Sequence, residues 1–235
     1  MENRGKLFLI PTVIAEDATD SIPASVLESL KLITHFLAEE PRTARRFLST
    51  LKIYQSIEPL RFYTLNKDTK DAELAEMFAP VFSGQNMGVL SESGCPGVAD
   101  PGALAVNFAH QKNIEVVPLV GPSSILLALM ASGLNGQQFS FHGYLPIDSK
   151  EASQKIKILE KESLQKKQTQ IFIETPYRNN QMLKHLIDSL HLSAQLCIAL
   201  GLTSKTEFIK TKTIGEWRKS VPALPKEPAV FLFLA

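Results

Sequence analysis

Three glycines and two prolines fall within the twelve residues Ser91-Glu92-Ser93-Gly94-Cys95-Pro96-Gly97-Val98-Ala99-Asp100-Pro101-Gly102. So much glycine and proline fixes a backbone path and lets a ligand approach it closely. The segment lies between an apolar, strand-like run (Met87 to Leu90) and a helix-like run (Ala103 to Gln111). A loop at the carboxyl end of a buried strand is where α/β proteins bind small molecules. Within it, Asp100 precedes a proline and either shapes the turn or serves as a base. Cys95 has no histidine near it in sequence, which favours pocket lining over nucleophilic chemistry.

Two further places carry residues suited to binding. Gly121-Pro122-Ser123-Ser124 opens a very apolar helix. Free N–H groups and hydroxyls there can hold a carboxylate or a ribose, and plain capping by serine explains the same residues. Glu174 follows the apolar run Ile171–Ile173 and precedes Pro176, and Arg178 comes four residues later. The glutamate either faces a ligand or is a solvated strand end. The arginine either holds an anion or is an ordinary helix-surface residue.

The elements that must position these groups alternate between strand and helix. Strands are expected at Lys6–Ile10, Thr34–Ala38, Leu60–Leu65, Gly88–Leu90 and Ile114–Val120. Helices are expected at Pro23–Leu32, Pro41–Leu51, Lys70–Val81 and Ala103–Gln111, the first two opened by proline. That alternation predicts a mostly parallel sheet. The second half reads as helix Ile125–Ala131, strand Phe139–Tyr144, helix Ser149–Lys167, strand Thr169–Ile173 and helix Arg178–Leu190. Strands Leu196–Leu200, Thr206–Lys212 and Ala229–Leu234 follow. The last two lack a full-length helix between them, so this sheet is expected to be mixed. A Gly-Pro pair and the change of strand pattern place a boundary between domains 1–120 and 121–235.

The 235 residues, 44% hydrophobic, suffice for one large domain or two modest ones. No apolar run approaches the ~18 residues of a membrane span. Met1 to Lys6 runs straight into the first strand, so no signal peptide is expected. Two cysteines far apart fit a reducing cytoplasm better than a disulfide framework. A net charge of +1 does not advertise nucleic-acid binding, and it leaves room for a local basic patch. Lys150, Lys155, Lys157, Lys161, Lys166 and Lys167 crowd one predicted helix, interleaved with Glu151, Glu160 and Glu162. A solvated face and a phosphate contact are both open readings. The first strand leads into Pro11-Thr12-Val13-Ile14 rather than G-x-G-x-x-G. The phosphate loop, HExxH, CxxC and G-x-S-x-G patterns are absent as well, and no metal site is expected.

The order of these segments is similar to the tetrapyrrole methylase superfamily, the class III S-adenosylmethionine-dependent methyltransferases. The nearest branch 2′-O-methylates a cytidine of bacterial small-subunit ribosomal RNA. Its P-T-P-I-G-N is matched by Pro11-Thr12-Val13-Ile14-Ala15-Glu16, and its A-E-D-T-R by Ala38-Glu39-Glu40-Pro41-Arg42. Its S-D-A-G-T-P-G-I-S-D-P-G is matched by Ser91 to Gly102, its P-G-P-S-A by the segment from Val120 to Ser124, and its S-G-L by Ser132-Gly133-Leu134. Its F-x-F-x-G-F-L-P is matched from Phe139 to Pro146, and its I-F-Y-E-S-P-H-R from Ile171 to Arg178. The chain departs from that pattern at Ala15-Glu16, Glu92, Cys95 and Leu200-Gly201, where the family has Gly-Asn, Asp, Thr and Arg-Glu.

The resemblance implies two α/β domains with a cofactor cleft between them, the N-terminal sheet mostly parallel and the C-terminal sheet mixed. It implies S-adenosylmethionine as cofactor, a cytoplasmic homodimer, and RNA or the small ribosomal subunit as partner, without membrane or metal. The cofactor residues it points to are Pro11, Glu92, Gly94, Cys95, Val98, Ser123, Ser124, Ile173, Glu174, Ala199 and Leu200. Asp100 and Glu174 are the candidate bases. Two alternatives stand beside RNA methylation: a methyltransferase of a tetrapyrrole-like small molecule, and a cofactor-binding relative without activity.

Overall fold

The computed structural model describes residues 4–235; the expectation about a leader at Met1–Asn3 concerns residues outside that range. The chain divides into two compact units, Met1–Ser123 and Ser124–Ala235.

The first unit is built on a five-stranded sheet. Its strands are β1 (Leu7–Ile10), β2 (His35–Ala38), β3 (Arg61–Thr64), β4 (Met87–Leu90) and β5 (Val116–Pro118). They lie in the order β3-β2-β4-β1-β5, and every pair is parallel. Helices α1 (Ala24–Leu30), α2 (Pro41–Thr50), α3 (Asp71–Met77), α4 (Ala79–Phe82) and α5 (Gly102–Gln111) connect them. A short 3-10 turn covers Thr19–Ser21. Sequence decides several of these boundaries. Pro41 occupies the first turn of α2, where its missing N–H costs nothing, and the Glu40 side chain caps the helix by accepting from Arg42 N. The single helix expected over Lys70–Val81 is instead two, α3 and α4. Pro80 has no N–H to donate, and its ring would strike the carbonyl one turn earlier, so the first helix ends before it. The strand expected over Ile114–Val120 is only three residues long. It sits at the sheet edge, where Pro118 is tolerated.

Alternate strand residues feed two cores. Ile10, Phe36 and Leu90 pack with Val26 and Leu30 of α1 and with Phe47 and Leu48 of α2. Leu7, Leu37 and Val89 pack with Leu74 of α3 and with Ala105 and Phe108 of α5. The chain therefore leaves β1 towards one face and β4 towards the other. β1 and β4 are neighbours, so the carboxyl ends of these two strands form a topological switch point.

The second unit has strands β6 (Phe139–Tyr144), β7 (Thr169–Glu174), β8 (Gln195–Leu200), β9 (Phe208–Thr213) and β10 (Ala229–Leu234). Their order is β6-β7-β10-β8-β9. Only β6 and β7 run parallel, so the expected mixed sheet is observed. Helices α6 (Ser124–Ser132), α7 (Ser149–Lys166), α8 (Asn179–Ser189) and α9 (Ile214–Lys219) complete the unit. One face of the sheet packs Phe172, Ile198, Phe231 and Phe233 with Ile156 and Leu159 of α7, Leu186 of α8 and Trp217 of α9. The helix α9 went unread in the sequence because six residues are too few for a period. Its Thr213–Glu216 capping box was the available signal. Among the described residues, no helix is long and apolar enough to cross a membrane.

Candidate functional site

The switch point gathers three loops of the first unit. The loop after β1 is tied to the Gly/Pro loop after β4: Thr12 N donates to Gly94 O at 2.9 Å and Thr12 Oγ1 to Ser91 O at 3.2 Å. The loop after β5 joins them through Cys95, whose thiol donates to Pro122 O at 3.3 Å. Gly121 lies so close to Pro11 that a Cβ on it would overlap the proline ring. Gly94 has φ +74°, a left-handed backbone that glycine adopts freely, and it turns its carbonyl onto Thr12. Asp100 accepts from Gly97 N at 2.7 Å and Gly102 N at 2.8 Å through the same carboxylate oxygen, Oδ1. Those two bonds shape the loop, one of the two roles open to an aspartate before proline.

Next to this staple lies a groove of about 400 Å³, lined in part by Thr12, Ile14, Thr43, Phe47, Ser91 and Glu92. Glu92 accepts from Glu40 N at 3.3 Å, linking the loop after β4 to the loop after β2. Arg46 of α2 pairs with Glu16 at 3.3 Å across exposed surface, a weak contact. Burial, with the Asp100 carboxylate as the lesser cause, pushes the Cys95 thiol above its ordinary range. A protonated thiol already committed to a carbonyl is a poor nucleophile, in keeping with pocket lining.

The first unit therefore brings together Pro11, Glu92, Gly94, Cys95 and Asp100 with the Gly121–Ser123 loop. Val98 is half exposed at 49%. A Cβ on Gly97 would meet nothing within 4 Å, so the loop backbone there faces open space. Ser124 is the first residue of α6 in the second unit.

The other expected site residues fall at one end of the second sheet. Val230 is the partner of both Ile173 and Ala199, and Ala229 of both Glu174 and Leu200. Neighbouring residues on a strand face opposite ways, so Ile173 and Ala199 share one face and Glu174 and Leu200 the other. A ligand on the first face meets Glu174 and Leu200 only through their backbone. The Glu174 side chain is fully buried and lies 3.0 Å from Arg178, whose own side chain is 22% exposed. The solvated strand end considered for Glu174 is thus not what forms. Its Oε1 accepts from Thr175 N at 2.7 Å, while Oε2 has the ionic contact but no hydrogen-bond alignment. Arg178 also donates to Pro146 O at 3.1 Å. Sequence reasoning passed over two polar residues here. Asn179 is fully buried and donates to Glu227 O at 2.7 Å, and Glu227 accepts from Thr206 Oγ1 at 2.9 Å. Neither stands in a recognisable motif, and Asn179 lies among the polar residues Arg178, Asn180 and Gln181, so no local signal marked it for burial.

Among the described residues, no group of three or more His, Cys, Asp or Glu is arranged to hold a metal ion.

No protein-family model matches the chain. Its relatives are nonetheless consistent. It is 30% identical over 214 residues to ribosomal RNA small subunit methyltransferase I of Escherichia coli O157:H7, covering 91% of this chain and 71% of the relative. It is 30% identical over 213 residues to the protein of that name from Bacillus subtilis strain 168, covering 90% of this chain and 68% of the relative. In fold it is similar to the crystal structure of the methyltransferase CobJ, with TM-score 0.64 and 16% identity over 98% of this chain and 94% of that one. It is similar also to a uroporphyrin-III C-methyltransferase from Thermus thermophilus crystallised with S-adenyl homocysteine. That TM-score is 0.57 at 14% identity, covering 98% of this chain and 97% of the other. Fold likeness at that identity establishes architecture alone, whereas 30% identity over most of both partners establishes kinship. The chain belongs to the ribosomal RNA small subunit methyltransferase I family.

Proposed function

We propose that this chain transfers a methyl group from S-adenosylmethionine to small-subunit ribosomal RNA, at a cytidine ribose 2′-hydroxyl. The observation that carries the reading is the 30% identity to ribosomal RNA small subunit methyltransferase I over 91% of the chain. The stapled loops of the first unit support it, because a ligand recognised through backbone groups needs such a fixed frame. When bound, S-adenosylmethionine supplies a methyl group on a positively charged sulfur, already activated for transfer. What remains for the protein is orientation, worth ~7–11 kcal/mol of barrier in favourable cases.

In this reading the backbone from Gly94 to Val98 and the Glu92 carboxylate hold the methionine end. Ser123 and Ser124 hold its polar atoms. Within the second unit, Ile173 and Ala199 by side chain and Glu174 and Leu200 by backbone are the residues proposed for the cofactor. Asp100 holds the loop in shape. Cys95 and Cys197 are both free thiols, which supports a reducing cytoplasm. Homodimerisation is part of the same reading.

The test is incubation of the protein with labelled cofactor and small subunits from a strain lacking it. Label confined to one cytidine ribose is expected. Label that enters a tetrapyrrole acceptor and not RNA would replace the substrate. Cofactor binding without any transfer would reduce the chain to a binding protein.

A further inference from the structure

The long helix α7 shows how the charges of the lysine-rich segment are arranged in space. Its buried residues Ala152, Ile156, Leu159 and Ser163 mark one side. At 3.6 residues per turn, Lys150, Gln154, Lys157, Ile158, Lys161 and Gln165 lie within about 50° of the line directly opposite. All six are exposed. The three acids of the helix, Glu151, Glu160 and Glu162, are about 70–110° away from that line on its flanks. Two of them are engaged there. Glu160 accepts from His191 N at 2.6 Å, and Glu162 lies 3.7 Å from Lys166. Asp148, which precedes the helix, is occupied in capping Lys150 N and Glu151 N. Among the described residues, none of the ion pairs involves Lys150, Lys157 or Lys161. The charges alternate in sequence, but in space they separate into a basic ridge with acidic flanks.

We infer that the ridge Lys150–Lys157–Lys161 of α7 is a contact surface for the phosphate backbone of RNA. This rests on, and deepens, the reading of the chain as a ribosomal RNA methyltransferase. Three unpaired ammonium groups along about 16 Å of helix match a run of phosphates. Gln154 and Gln165 add hydrogen-bonding groups without opposing charge. No aromatic side chain lies on the ridge, so the contact carries charge and register but reads no base.

The experiment measures binding of a small-subunit ribosomal RNA fragment against salt concentration. Wild-type protein is compared with the triple variant Lys150→Gln, Lys157→Gln, Lys161→Gln. Loss of three phosphate contacts lowers the slope of log affinity against log salt by about 2. Arginine at the same three positions restores it. A second triple variant, Lys6→Gln, Lys31→Gln, Lys184→Gln, loses equal charge from lysines that are ion-paired, and it keeps the wild-type slope. An unchanged slope in the ridge variant, or an equal fall in both variants, overturns the inference. So does ridge-dependent binding to anionic phospholipid vesicles without a change in RNA slope. Methyl transfer by wild-type protein to small subunits is measured in parallel. Transfer with an unchanged slope sinks the ridge alone. A changed slope without any transfer sinks the catalytic reading and leaves the ridge.

Discussion

At the carboxyl edge of the first sheet, each contact of Thr12, Glu92, Cys95 and Asp100 has a backbone atom on at least one side. At the end of the second sheet, Glu174, Arg178, Asn179 and Glu227 are held through side chains. In the first region the acceptors are the Gly94 and Pro122 carbonyls, and the amides of Gly97 and Gly102 converge on one carboxylate oxygen. In the second region a buried carboxylate faces a guanidinium, and Asn179 grips the backbone of Pro225 and Glu227. The chain departs from the resembled pattern there at Glu92 and Cys95, and both side chains keep a bond to backbone, Glu92 accepting from Glu40 N and Cys95 donating to Pro122 O. A frame of side chains demands compensation. Gly201 stands where the family has the glutamate of its Arg-Glu pair, and a Cβ on Gly201 would overlap Glu227 Oε2.

The largest expected effect tests the side-chain frame. Arg178→Met leaves Glu174 buried without its cation, at a cost of about 3–5 kcal/mol of stability. Urea denaturation measures it, and adding Glu174→Met recovers most of the loss. A cost under about 1 kcal/mol would erase the contrast between the two regions. The next effect tests the backbone frame. Asp100→Ala removes two hydrogen bonds to a carboxylate and costs about 2 kcal/mol. If Asp100 only shapes the loop, KM for S-adenosylmethionine rises while kcat holds. A fall in kcat at constant KM would make it the base instead.

These two regions also differ in how far the sequence could be read. The loop from Ser91 to Gly102 announced itself, because glycine and proline act locally and their meaning does not depend on distant residues. The parallel first sheet was legible for the same reason, through short apolar runs alternating with helical periods. The joining of Thr12, Gly94 and Pro122 was not, since no local pattern states which carbonyl will meet which donor. Glu174 was open to two readings, a residue facing a ligand or a solvated strand end, and its burial beside Arg178 removes the second. Its pairing with Arg178 depends on the turn at Thr175–Pro176, which brings the arginine back over the strand end. Asn179 and Glu227 were missed altogether, because their partners are 48 residues apart in the chain. The division of α7 into ridge and flanks lay in the spacing, but needed the buried side of the helix to be known.

The smallest effect is the most specific to the backbone frame. Cys95 stands where the family has threonine, and both side chains can donate to the Pro122 carbonyl. Cys95→Thr should therefore shift stability by less than about 0.5 kcal/mol and leave cofactor affinity unchanged. Cys95→Ala should weaken both. The same thiol reports on its surroundings through its reactivity. Burial first, and the Asp100 carboxylate second, raise its proton affinity. At any given pH, the thiolate fraction is then smaller than in a free cysteine, and iodoacetamide modification should turn on at a higher pH. Cys197 is fully buried and likewise raised by burial, so it should stay silent until the protein unfolds. In Asp100→Ala the repulsion is gone and the loop is loosened, and both changes move Cys95 modification to lower pH. If modification in that variant follows the wild-type profile, the Asp100 carboxylate neither repels the thiolate nor shapes the loop around it.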